Sequence, residues 1–319
     1  MPKVMAVFGA GSGLGVSVAR RFGHEGFRVA LVARRRDRPD ALAARLGGEG
    51  IEAAVFPADL SDPAGVPALV GAVRERFGRT DVVEYAPIGG DTSFAPARRL
   101  DAAPLEKFSR LLLRAPVEVA RAVLPEMTER GDGAFPMTTG CTAAQPMPQL
   151  SGSGPAMSAA RNWLYSLNGE LVGTGVHAGT LTVAALILNS AAAEAAAAGE
   201  SGAVPGIDGV EFPVVHRDLL AEHYGDMYTK RDRVEQAHPR GTDPAARCPR
   251  VEPAGRRRRV NGSSVPLSAP RSRCPGRSLS GRGPGAGAPS LQVGRHLFGT
   301  SGLQGDVQVG TDKYQAMVG

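Results

Sequence analysis

A glycine-dense turn, Gly9-Ala10-Gly11-Ser12-Gly13-Leu14-Gly15, follows directly on the apolar run Val4–Phe8. No other feature narrows the possible folds as much. The apolar run reads as a short strand buried on both faces, the signature of a parallel sheet. Leu14, Val18 and Phe22 then recur at helical spacing. A strand that turns this tightly into a helix needs residues without a Cβ. The same residues let the backbone close on an anion, which the exposed N–H groups and positive dipole at the helix start attract. Ser12 adds a hydroxyl donor. A glycine-rich turn with no ligand has the same spacing, so the surrounding pattern has to decide.

Strand and helix signals alternate after this turn. Strands are expected at Arg28–Ala33, 53–56, 81–85, 134–139 and 178–188. Helices are expected over 14–22, 37–46, 62–77, 105–127 and 155–172. Asp62-Pro63 supplies an N-cap and a proline at the first helical position. Pro116 is expected to kink the long helix, and Pro136 is out of place in a strand. This β-α-β-α order predicts an α/β fold of the Rossmann type: a doubly wound parallel sheet between two helical layers, with right-handed crossovers. The alanine-rich stretch 190–199 and the charged stretch 218–236 are expected to be helical. No further strand is recognisable beyond 188.

Composition adds bounds. Hydrophobic residues make up 42% of the 319 residues but aromatics only 5%, so Ala, Val and Leu must build the core. The net charge of +6 is unevenly spread, because residues 241–319 hold twelve Lys/Arg against four Asp/Glu. That segment also holds fourteen Gly and eight Pro, and the run Arg256-Arg257-Arg258-Arg259. Such a composition cannot bury a core and predicts a disordered basic tail. Without aromatic interleaving or a recognition motif, the tail does not imply a specific nucleic-acid partner. Cys141, Cys248 and Cys274 have neither zinc nor disulfide spacing. Residues 1–10 read as a first strand rather than a secretory signal, and 181–188 is too short to span a bilayer. A cytoplasmic protein with no membrane partner and no metal is expected.

With its glycine turn, the chain resembles the short-chain dehydrogenase/reductase family over about residues 1–190. Ala58-Asp59-Leu60 resembles the family's acidic contact to adenine. Asp81-Val82-Val83-Glu84-Tyr85-Ala86-Pro87 stands where the family has Asn-Asn-Ala-Gly, of which Ala86 remains. The resemblance implies a nicotinamide dinucleotide held by Gly9, Ser12, Gly13, Leu14, Gly15, Asp59, Leu60 and Ala86. Arg34 and Arg35 end the second strand, where an NAD site usually has an acid for the ribose 2′-OH. Guanidinium groups there suit a 2′-phosphate, so NADP(H) is expected over NAD(H).

The family's proton chemistry uses Asn, Ser, Tyr and Lys. Ser166-Leu167-Asn168-Gly169-Glu170-Leu171 resembles the end of the helix that carries the Tyr and Lys. Counting back places Ser153 at the Tyr position, Met157 at the Lys position and Gly140 at the Ser position. Leu124-Pro125-Glu126-Met127 places Leu112 at the Asn position. No catalytic residue is assigned. Arg161 and Tyr165 lie turns beyond the site; Thr139, Ser151 and Ser153 are not useful acids; Cys141 and His177 suit structural roles; Tyr224, Tyr228 and Lys230 lie on the later charged helix. Three segments are expected: a dinucleotide-binding domain at 1–190, a helical extension covering the substrate side at 191–240, and the tail. The activity is either NADP(H)-dependent carbonyl/alcohol oxidoreduction or silent binding as a sensor or partner subunit. The resemblance implies homo-oligomers through the 105–127 and 155–172 helices. The substrate is not legible.

Overall fold

A computed structural model describes residues 1–87, 95–148, 150–190, 193 and 213–239. The expected tail at 241–319 and most of the expected alanine-rich helix lie outside them.

Seven parallel strands form one sheet: β1 (Val4–Phe8), β2 (Arg28–Ala33), β3 (Ala53–Pro57), β4 (Val82–Tyr85), β5 (Gly133–Gly140), β6 (Val176–Val183) and, last in the chain, a strand at Glu235–His238. In space the order is β3-β2-β1-β4-β5-β6 and then that last strand. A two-stranded ribbon, β7 (Leu186–Ile187) and β8 (Val214–Val215), lies apart from the sheet, so the last strand is β9. The chain winds outward from β1 to β3 and then returns to β4, which leaves a crevice at the carboxyl ends of β1 and β4.

Two apolar layers sandwich the sheet, as a doubly wound parallel sheet requires. On one face α3 (Val66–Phe77), α5 (Ala115–Arg130) and α6 (Gly154–Glu170) cover Ala6, Val83, Phe135 and Met137. On the other, α1 (Leu14–His24), α2 (Asp37–Gly48) and α7 (Arg217–Lys230) cover Val7, Leu31, Val82 and Leu181. Phe22, Phe27 and Tyr228 close this second layer edge to face.

Several expectations change. The long helix is α4 (Ala102–Ser109), a π turn over Arg110–Arg114, and α5. Pro116 lacks the N–H that Leu112 would receive, and Ala115 N–H donates back to Arg110 instead. That releases the Leu111 carbonyl, which accepts from the buried Tyr85 hydroxyl at 2.5 Å. Pro136 does sit in a central strand. The β4–β5 register pairs Val82 with Ala134 and Tyr85 with Met137, and the gap between them falls at Pro136.

The charged helix ends at Lys230 rather than 236, and the unrecognised final strand is present. β9 is the polar run Glu-Gln-Ala-His, paired with β6 from Thr180↔Glu235 to Val183↔His238. Its polarity is tolerated because it is met. Glu235 accepts from Arg161 Nε at 2.9 Å, from Thr182 Oγ1 at 2.5 Å and from the Tyr165 hydroxyl. Burial opposes ionisation of Glu235, yet these hydrogen bonds hold its carboxyl below the usual carboxylate range. α7 packs against α1 and β9 extends the sheet, so the described part of the 191–240 segment is built into the same sheet and helical layer as residues 1–190.

Glu84 is the one costly core position of β4. Its carboxyl is fully buried, and neither oxygen has a hydrogen-bond partner among the described residues. Burial pushes its pKa up from 4.5 to about 8. The folded carboxyl therefore keeps its proton up to about pH 8, whereas the unfolded one releases it near 4.5. Stability is fully present below the lower value and is lost as pH rises through the upper one. Glu84→Gln, which cannot ionise, should match the parent in thermal unfolding at pH 5. At pH 8.5 it should melt several degrees higher, a gain on the order of a few kcal/mol. Parallel melting curves at both pH values would refute this account of Glu84.

Candidate active site

The crevice begins at Gly9. This residue has φ +109°, a backbone shape that L side chains rarely adopt, and a Cβ there would lie 2.8 Å from Cα and N of Pro87. The ends of β1 and β4 therefore meet backbone to backbone. Gly9 and Ala10 N–H both donate to the Val32 carbonyl, at 3.0 and 2.9 Å, which ties the turn to β2. A Cβ on Gly15 would lie 3.0 Å from Val7 Cγ1 and 3.2 Å from Gly9 O, so α1 also rests closely on β1. α1 starts at Leu14, itself buried, with Gly13 as an N-cap that offers no side-chain bond and with no acid in the first turn. Its N-terminal amides and dipole are thus left for an external acceptor.

The adenosine-side candidates converge. Asp59, exposed at the end of β3, accepts from Ser61 N–H at 2.9 Å and Ser61 Oγ at 2.8 Å. Those two bonds, aided by the charges of Arg34 and Arg110, hold its carboxyl below the usual range. Arg34 thus stands close to Asp59, with Arg35 exposed beside it at the end of β2. Leu60 turns into the core beneath them, and Ala86 N–H donates to Phe8 O at 3.0 Å on the far side of the turn.

Three contributors escape the sequence reading. Arg38 Nη1 donates to Ser12 Oγ at 3.1 Å. Its only sequence signal is that it follows Arg34-Arg35-Arg36 in the same basic stretch, in the first turn of α2. Ser190 covers Gly13, with its Cβ 3.2 Å from where a Gly13 Cβ would stand. Arg217 Nη1 donates to the Ser12 carbonyl at 2.5 Å from the start of α7. The last two come from sequence distances no local motif reports.

Of the four positions that the resemblance sets against the family's catalytic residues, Leu112, Gly140 and Met157 come together, and Ser153 stands one helical turn from Met157. Leu112, inside the π turn, packs with Phe108 and Ala156, and Met157 lies against that cluster. Gly140 N–H points to the Met157 sulfur at 3.3 Å. Ser153 is buried just before α6, and its carbonyl accepts from Met157 N–H at 3.1 Å. The positions that could carry an acid are therefore filled by a thioether, a leucine and a glycine around one buried hydroxyl.

Other polar side chains nearby are committed elsewhere. Thr139 Oγ1 bonds Thr180 and Thr182 at 2.9 and 3.0 Å. Arg161 and Tyr165 both serve Glu235, and Tyr165 is pushed up to about 12, first by burial and then by that carboxylate. His177 Nε2 meets Arg233 O at 2.9 Å. The Cys141 thiol is buried. Tyr224 is fully buried and bonds Thr138 Oγ1 at 2.5 Å, while Tyr228 accepts from Lys3 Nζ at 2.7 Å near the start of β1. Lys230 pairs with Asp226 at 3.0 Å. No cluster of metal-ligating residues occurs among the described residues, and none of their helices is long and apolar enough to cross a membrane.

Comparison with known proteins agrees with this geometry. A fatty acyl-CoA reductase of Mycobacterium tuberculosis is 36% identical over 137 residues, 41% of this chain and 45% of that protein. A D-threitol dehydrogenase of Mycolicibacterium smegmatis is 34% identical over 133 residues, 42% of this chain and 50% of its own. The chain thus spans about half the length of these curated relatives. Among solved structures, L-sorbose reductase from Gluconobacter frateurii complexed with NADPH and L-sorbose superposes with a TM-score of 0.65 at 23% identity. That match covers 77% of this chain and 97% of the other. An alcohol dehydrogenase from Thermococcus sibiricus complexed with 5-hydroxy-NADP gives 0.59 at 26% identity, covering 74% and 95%. The family model for short chain dehydrogenases matches residues 3–195, more than half of the chain. The glycine turn, the strand order and this match establish that the chain belongs to the short-chain dehydrogenase family.

Proposed function

We propose that this chain binds NADP(H) across the carboxyl ends of β1 and β4, as an oxidoreductase-type protein for a carbonyl/alcohol pair. The observation that carries the reading is the joining of two features at Ser12. An uncapped, acid-free helix start lies on one side, and guanidinium groups lie on the other. The glycine turn has the close backbone approach that a diphosphate needs, and Gly9 has no room for a side chain. Arg34, Arg35 and Arg38 would surround a 2′-phosphate by charge-assisted hydrogen bonds. Asp59, Leu60 and Ala86 would flank the adenine side. The NADPH complex of L-sorbose reductase and the 5-hydroxy-NADP complex of the alcohol dehydrogenase support this choice of cofactor. When bound, the nicotinamide supplies or accepts the hydride.

What this chain's own residues do at the reacting end is less than the family's chemistry asks. A phenol beside a lysine exchanges a proton near neutral pH because the ammonium lowers its pKa. Ser153 and Met157 provide neither group. Met157 packed against Leu112 and the Gly140 amide makes the floor apolar. This observation favours a second reading: NADP(H) binding without turnover, as a sensor or as partner to an active subunit. Pairing between copies through the 105–127 and 155–172 helices, in a cytoplasmic setting, belongs to both readings.

Nicotinamide fluorescence on the full chain should show NADPH binding at least tenfold tighter than NADH. The double variant Arg34→Ala/Arg38→Ala should remove that preference, each charge-assisted contact contributing about 1.5–3 kcal/mol. If neither nucleotide binds a folded chain, the proposal is wrong. A panel of carbonyl compounds then separates the two readings. A fall in nicotinamide absorbance establishes turnover with an unconventional proton source, and an unchanged absorbance in the presence of bound NADPH establishes the silent form.

A further inference from the structure

We infer that Arg217 is a phosphate-binding residue of this site: a guanidinium carried to the diphosphate from the start of α7, outside the glycine turn. This rests on the NADP(H) reading above.

The placement comes from three independent contacts. Arg217 Nη1 donates to the Ser12 carbonyl at 2.5 Å. The neighbouring Asp218 carboxylate accepts from the Ser17 hydroxyl on α1. The ribbon β7–β8 leads into both sides of this corner, because β8 runs directly to His216 and Arg217, and β7 runs on to Ser190 over Gly13. The carboxyl-terminal part of the domain is therefore fastened onto the glycine turn at Ser12, Gly13 and Ser17.

The chemistry comes from what the guanidinium leaves unused. Arg217 Nε is buried and has no hydrogen-bond partner among the described residues. A buried donor without an acceptor is expensive, and an arginine has five donors in a rigid fork suited to phosphate. Two other arginines, Arg28 and Arg130, also leave a buried Nε unpaired. Both lie at the opposite end of the sheet, where their guanidiniums serve the carbonyls of Phe77 and Thr80. Arg217 alone of the three sits at the helix start that lacks a cap and an acid. A phosphate oxygen there would satisfy Nε and keep the Ser12 contact. The turn itself contributes amides and a partial charge, and Arg217 contributes the full positive charge.

Calorimetric titration of the full chain with NADPH, 2′-phospho-ADP-ribose and adenosine 2′-monophosphate tests this. Only the first two carry a diphosphate. Arg217→Ala should weaken both of them about 10- to 100-fold, the range of one charge-assisted hydrogen bond, and leave adenosine 2′-monophosphate within about twofold. Arg217→Lys should recover part of the loss. Asp218→Ala removes the acceptor of the adjoining Ser17 hydroxyl without touching the phosphate; it should lower the melting temperature and leave all three affinities within about twofold. If Arg217→Ala binds every ligand as the parent does, Arg217 only fastens the turn and the inference fails. A parallel loss for all three ligands in a cooperatively melting variant refutes it as well, since it marks a collapsed turn. If the unaltered chain binds none of the three, the failure lies with the NADP(H) reading itself.

Discussion

The backbone contact between Gly9 and the Ala86–Pro87 peptide is the constraint on which the rest of the structure hangs. It joins the ends of β1 and β4, the two strands between which the winding direction reverses. Any side chain at Gly9 would push these strands apart and would have to adopt φ +109°. With the contact in place, the turn is tied to β2 through the Val32 carbonyl, and α1 leaves the sheet with its amides facing the crevice. The side chains that later segments bring, Ser190 and Arg217, have a fixed object to dock on. Local geometry at one glycine thus sets the direction of a helix, the position of a crevice and the address of contacts made almost two hundred residues later.

Most of the fold was legible because its signals are local. β1 is an unbroken apolar run, β2 is one after Arg28 and β4 is one apart from Glu84, the pattern expected of strands buried between two helical layers. The failures have a common cause, which is polarity satisfied by tertiary contact. β9 reads as Glu-Gln-Ala-His, and nothing in that string says that Arg161, Thr182 and Tyr165 will meet Glu235. Extending the charged helix across it was the natural reading of a charged stretch. Arg231, with φ +48°, is where the helix stops, and a non-glycine residue in that conformation gives no warning in the sequence. Pro116 was legible as a disturbance, but its form was not. The π turn depends on the Tyr85 hydroxyl arriving from β4 to take the Leu111 carbonyl.

The candidate site divides along the same line. Gly9, Gly13, Gly15 and Arg34 could be read because turn chemistry and strand ends are sequence-local. Asp59 and Arg34 lie close together in space, as adjoining strand ends in a parallel sheet must. Arg38 was within reach as part of a basic stretch, whereas Ser190 and Arg217 were not. Counting back from the helix ends to positions 112, 140, 153 and 157 assigns them no role, but it picks out neighbours. Those positions do converge, as the packing of Met157 against Gly140 and the Leu112 cluster demonstrates.

The two ends of the crevice therefore differ in kind. The end at the glycine turn combines a helix start without a side-chain cap, its dipole and the guanidinium groups of Arg38 and Arg217, all of which favour negative charge whether or not any reaction follows. The other end offers Leu112, Met157 and a buried Ser153. Catalysis requires interactions that strengthen as the transition state forms, and uniform binding of a cofactor provides none. Held cofactor and substrate still gain from proximity, so hydride transfer is not forbidden by an apolar floor. The proton is the limiting matter. Two buried acids, Glu84 on β4 and Tyr224 on α7, retain their protons because burial disfavours their charged forms. Both lie sealed on the α7 face. A group enclosed in that layer, away from the crevice, is no proton donor to it, however strongly it holds its proton. Of the residues at 112, 140, 153 and 157 only Ser153 carries an O–H, and a serine hydroxyl is too weak an acid to exchange its proton readily near neutral pH.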